Sequence, residues 1–141
     1  MPSACCIPAP TALAAFWAEA LGYAMAPPPD GFESRAAWFA EHAVPEGEWD
    51  DGAFLHDPSV RGPTIWFLRV PEAKTVKNRL HLDLQVGGGR QTPWEQRWPR
   101  VTGEVARLGR LGAQVVQEVP PGERPDHVIM VDPEGNEFCV V

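Results

Sequence analysis

Two dipeptide signals recur in the same order along this 141-residue chain: Leu21-Gly22 then Asp57-Pro58, and later Leu111-Gly112 then Asp132-Pro133. Around each pair the chain reads strand, helix ending in Leu-Gly, strand, strand, Asp-Pro turn and strand, which predicts a degenerate duplication of a βαβββ module. The first interval is longer by an inserted helix, at about 32–45, and an acidic loop, Glu46-Gly47-Glu48-Trp49-Asp50-Asp51. We therefore expect one α+β domain over 1–141, with module one at about 1–71 and module two at about 78–141. A four-stranded sheet with a helix on one face leaves its other face uncovered. Two such modules are expected to form a curved mixed sheet around a concave cavity, helices on the outer face.

Periodicity places the elements. Leu13, Phe16, Trp17, Ala20 and Leu21 fall on one helical stripe, with Thr11 as a cap and Gly22 as the stop. A short strand is expected at 3–7, before Pro8 and Pro10. Ser34 can cap the inserted helix, and residues 52–56 and 64–70 read as a hairpin around Asp57-Pro58 and Gly62-Pro63. From 80 to 86 the sequence alternates strictly, which assigns Leu80, Leu82, Leu84 and Val86 to the core. Thr92-Pro93-Trp94-Glu95 predicts a capping box, Pro99 should stop or kink the helix, and Val101, Val105 and Leu108 carry its stripe to Leu111-Gly112. Strands follow at 114–118, 127–131 and 137–141.

Composition narrows the function classes. Nineteen acidic against 12 basic side chains leave a net charge of −7, which repels nucleic-acid phosphate and anionic membrane surfaces. No apolar run approaches the ~20 residues that span a bilayer. Cys5 and Cys6 are adjacent and Cys139 is distant, so there is neither a disulfide framework nor a CxxC metal knuckle, and a reducing cytoplasm is expected.

The alternation that buries the leucines turns His81, Asp83 and Gln85 to the opposite face, and on the last strand it turns Glu137 and Cys139 away from Phe138 and Val140. Both sets should face the concavity, where His81 and Glu137 can meet. His81 reads as a metal ligand or as a hydrogen-bonded strand histidine. Glu137 reads as a ligand or general base, or as a carboxylate satisfied by backbone donors or an arginine. Trp66, Trp94 and Trp98 could stack a ligand or fill core volume. Lys74, Lys77 and Arg79 could guide an anionic substrate or form a solvated linker. Cys139 has no evident activating base, and Asp132-Pro133-Glu134-Gly135 reads as turn chemistry.

Three segments, LAAFWAEALGY at 13–23, VPEAKTVKNRLHLDL at 70–84 and MVDPEGNEFCVV at 130–141, resemble the vicinal oxygen chelate superfamily. The resemblance is to its glyoxalase-like domains, of the glyoxalase, bleomycin-resistance and extradiol-dioxygenase kind. It implies a metal held by one residue from the first strand and one from the last strand of each module. His81 and Glu137 match those positions in module two, whereas neither Pro2, Ser3 and Ala4 nor Thr64, Trp66 and Leu68 supply an imidazole or carboxylate. A third ligand would come from Asp83, His127, Cys5, Cys6 or a partner chain. The expected function is small-molecule binding in the sheet cavity, with Asp83, Gln85, Trp66 and Cys139 contacting the ligand and Glu137 moving a proton. A divalent ion, Zn, Ni, Fe or Mn, would assist a lyase or isomerase reaction. The alternative is a drug-sequestering protein of the bleomycin-resistance kind, attracting a cation with Glu48, Asp50 and Asp51. A homodimer is expected in either case.

Overall fold

The computed structural model describes residues 10–141; the strand expected at 3–7, with Cys5 and Cys6, lies outside them. The chain divides into two compact units, Met1–Ala73 and Lys74–Val141, and the fold is α+β.

In the first unit α1 (Pro10–Leu21) begins with a proline, whose fixed φ suits a first helical position. Thr11, expected as the cap, is already helical. The stripe is buried at Phe16 and Trp17, joined by Ala14, and Gly22 ends the helix at φ +69°. β1 (Ala24–Met25) follows, then α2 (Arg35–Glu41), where the Ser34 side chain accepts the Ala37 N–H at 3.0 Å. β2 (Gly52–His56) and β3 (Ile65–Leu68) complete an antiparallel sheet in the order β1-β2-β3, with α1 packed on it. Ala53 and Leu55 are buried, while Phe54 faces Trp66 with rings 5.5 Å apart and nearly parallel. At the Asp-Pro turn the Asp57 carboxylate accepts from Ser59, Arg61 and Gly62, a short side chain standing in for backbone partners.

In the second unit β4 (Asp83–Leu84) precedes α3 (Trp94–Arg110), β5 (Gln114–Val119), β6 (His127–Val131) and β7 (Glu137–Val140). The strand order is β4-β7-β6-β5; β4 and β7 run parallel and the other neighbours antiparallel, so the sheet is mixed. Val128 pairs with Val140 and Met130 with Phe138, and these four, with Leu84, Val101 and Leu108, form the buried core between sheet and α3. Full burial of such side chains contributes about 1.5–3 kcal/mol each. The opposite parity, His127, Ile129, Val131, Glu137 and Cys139, lies on the other face of the sheet, the one that α3 leaves open.

Three local expectations are corrected. The regular strand expected at 80–86 contracts to Asp83–Leu84, and Leu80 and Leu82 are exposed; only from Leu82 onward does β7 supply backbone partners, with Cys139 N–H on the Leu82 carbonyl. Of the stop or kink expected at Pro99, the stop is absent, since α3 runs through it to Arg110. Only one backbone donor is missing there, and the burial of Val101 and Leu108 outweighs it. The capping box does not form either: Pro93 is the cap, Thr92 donates to the Gly88 carbonyl at 2.9 Å, and Glu95 pairs with Arg124. Among the described residues no helix is long and apolar enough to cross a membrane.

Candidate functional site

The site is built by register. β4 and β7 pair Asp83 with Cys139, and Glu137 lies two residues before Cys139 on the same face. His81, two residues before Asp83, reaches across all three. Its Nε2 lies 3.2 Å from Cys139 Sγ and 3.5 Å from Asp83 Oδ1, and its Nδ1 lies 3.8 Å from Glu137 Oε1. Lys77 Nζ stands 3.3 Å from the same Glu137 oxygen. One donor atom each from His81, Asp83 and Cys139 fall within 4.8 Å of one another.

These side chains differ in their access to water. Those of His81 and Asp83 are 41 % and 54 % exposed and that of Glu137 is 25 % exposed, whereas Cys139 is buried although it is on the open face. The His81 ring beside its sulfur accounts for part of that. Burial pushes the Cys139 thiol up, and the neighbouring Asp83 and Glu137 carboxylates add to the effect against the opposing charge of Lys77. An imidazole, two carboxylates and a thiol on one sheet face are a donor set that suits a divalent transition metal.

Beside this cluster a cavity of about 310 Å³ is lined by Asp83, Gln85, Gly89, Arg90, Arg97, Asp126 and Val141. Asp83 therefore belongs to both the donor cluster and the cavity. Arg97 donates to the Asp126 carbonyl and to its Oδ1, each at 2.9 Å, while Arg90 stands 3.2 Å from Oδ2. Burial raises the Asp126 carboxyl, but hydrogen bonds from His127 and Arg97 and the charges of Arg90 and Arg97 outweigh it and hold it below the ordinary carboxylate range. Gly87 makes this arrangement possible, because a Cβ there would lie 2.4 Å from Arg97 Cγ.

The structure thus brings together His81, Asp83, Glu137 and Cys139, with Gln85 on the adjoining cavity wall. Trp66 belongs to the first unit, on β3, where it is more than half exposed and stacked on Phe54. His127 turns its Nδ1 to Asp126 at 3.1 Å and is outside the donor cluster. Trp94 and Trp98 stack on one another, and Trp94 donates to the Pro125 carbonyl at 2.7 Å. Sequence reasoning missed Arg90, Arg97 and Asp126. The available signal was the Gly87-Gly88-Gly89 run, which permits close side-chain approach but reads first as a chain break.

The glyoxalase-like domain family model matches residues 4–141. Among solved structures, hypothetical protein SA1046 from S. aureus is 16 % identical with a TM-score of 0.52, over 92 % of this chain and 82 % of that one. A glyoxalase/bleomycin resistance protein/dioxygenase family enzyme from Burkholderia phytofirmans PsJN is also 16 % identical, TM-score 0.51, covering 92 % and 87 %. A possible glyoxalase from Bacillus cereus gives 16 % and 0.51 over 93 % and 87 %. No curated protein matches the chain. The likeness to these structures is one of fold, and the family match spans almost the whole sequence: the chain belongs to the glyoxalase-like domain family.

Proposed function

We propose that the open face of the second sheet binds a small molecule and, with a divalent cation, catalyses a lyase or isomerase reaction. The observation that carries this reading is the convergence of His81, Asp83 and Cys139 within 4.8 Å, with Glu137 on the other side of the His81 ring. Zn, Ni, Fe or Mn suits this donor set, and when bound such an ion polarises the oxygens of a small substrate and acidifies the adjacent carbon. Glu137 is the proton carrier. It takes the proton from that carbon and returns it to the neighbouring one, so the reaction consumes no co-reactant. Gln85 and Arg90 offer hydrogen-bond donors to substrate oxygens in the adjoining cavity.

Metal analysis of the purified protein tests this reading. It predicts a stoichiometric divalent metal that disappears in His81→Ala, and a fall in kcat of at least 10²-fold in Glu137→Gln at saturating metal. Metal-free protein would contradict it. A second reading, sequestration of a cationic aromatic compound, is favoured by the Phe54–Trp66 stack, whose outer ring is open to solvent. Under that reading the metal-free protein gains thermal stability with cationic aromatic ligands, and Trp66→Ala loses the gain.

A further inference from the structure

Building on the metal reading above, we infer that the cation is held by His81 Nε2, Asp83 and Cys139, and that Glu137 holds the ring instead of the ion. An imidazole directs its two nitrogens apart, so one ion can use only one of them. The Nε2 side offers two further donors, Asp83 Oδ1 at 3.5 Å and Cys139 Sγ at 3.2 Å. Among the described residues the Nδ1 side offers Glu137 Oε1 alone, at 3.8 Å, and that oxygen already faces the Lys77 ammonium at 3.3 Å. A cation on the Nδ1 side would sit against a positive charge.

The spacing agrees with this choice. Zinc–ligand bonds of about 2.0–2.3 Å in a tetrahedron set donor–donor edges of about 3.4 Å for nitrogen to oxygen and about 3.6 Å for nitrogen to sulfur. The observed 3.5 and 3.2 Å fall within about 0.4 Å of those edges. Backbone register, not side-chain reach, places the pair, since Asp83 and Cys139 are direct partners across the parallel β4–β7 ladder. Three protein donors leave a fourth position open to a substrate oxygen. Glu137 then faces the ring's other nitrogen at 3.8 Å, and a small approach of its carboxylate to hydrogen-bond distance would fix the tautomer and orient the ring once the ion is bound. Its two contacts run through Oε1, and the proton of the proposed reaction passes through Oε2. Glu137 is thus a positioning residue for the ion as well as the proton carrier.

Titration of Co2+ and Zn2+ into the 141-residue chain tests the assignment, with absorption for Co2+ and chelator competition for both. The expected result is a thiolate-to-Co2+ band in the near ultraviolet that survives Cys5→Ser/Cys6→Ser and is lost in Cys139→Ser. Asp83→Asn, on an exposed side chain, is expected to weaken binding at least tenfold while circular dichroism stays unchanged. Glu137→Gln keeps the band and weakens affinity about tenfold. Should Cys139→Ser fail to fold, Cys139→Ala and Asp83→Asn carry the same test. Co2+ bound without a thiolate band, insensitive to Cys139 and abolished by Glu137→Gln, would overturn the ligand assignment and leave the metal reading standing. A band that depends on Cys5 and Cys6 would overturn it too. Folded wild-type protein that takes up neither ion would overturn both.

Discussion

At Asp126 the ionised form is stabilised by His127, Arg97 and Arg90 against the burial that opposes it. A carboxyl whose folded-state pKa is depressed contributes stability that is present above its unfolded value and lost as pH falls through the folded one. Thermal stability should therefore decline on acidification through and below the ordinary carboxylate range, and Asp126→Asn should flatten that decline while lowering the melting temperature at pH 7. Identical acid limbs for variant and wild type would contradict the assignment. Gly87 constrains the same pair from the other side. Gly87→Ala must displace Arg97, and it should cost about 1–3 kcal/mol in denaturant unfolding. Parity along the last strand is enough to put Glu137 and Cys139 on one face and Phe138 on the other, so this part of the site is legible in the sequence. The Arg97–Asp126 pair is not, because no periodicity links a helix residue to the start of a strand.

At the level of elements, α3 shows where local rules yield to packing. Its first turn carries Glu95 and its last Arg107 and Arg110, charges that complement the helix dipole, and Val101 and Leu108 anchor it to the sheet. With those anchors the helix passes through Pro99. Pro99→Ala restores the missing donor, and it should stabilise the second unit by about 1–2 kcal/mol once the lost rigidity of the unfolded chain is subtracted. An unchanged or lowered melting temperature would show that the proline costs nothing where it sits. The apolar stripes of α1 and α3, the Ser34 cap, the hairpin of β2 and β3 and the limits of β6 follow directly from sequence pattern. The length of β4 does not: alternation from Leu80 to Val86 states which face each residue would take, while pairing with β7 decides where the strand begins. Leu80 and Leu82 are exposed for that reason.

Across the whole molecule, each unit runs a helix and then three strands in antiparallel succession, β1-β2-β3 in one and β5-β6-β7 in the other, and each carries an Asp-Pro turn tied by an aspartate side chain. The repeated Leu-Gly and Asp-Pro signals make that order readable, because both are backbone instructions: a glycine at positive φ after a helix, and a carboxylate that replaces turn partners. Chemistry is distributed differently from backbone. Among the described residues, the donor cluster of His81, Asp83 and Cys139, with Glu137 beside it, belongs to the second unit, while the first presents an aromatic stack and acidic side chains. The claim that matters most is that a cation sits on the open face of the second sheet. Anomalous diffraction at the zinc edge from crystals grown with Zn2+ tests it most directly. The account predicts one peak within about 2.0–2.3 Å of both His81 Nε2 and Cys139 Sγ; a map with no peak on that face, or with zinc bound only elsewhere, would contradict it.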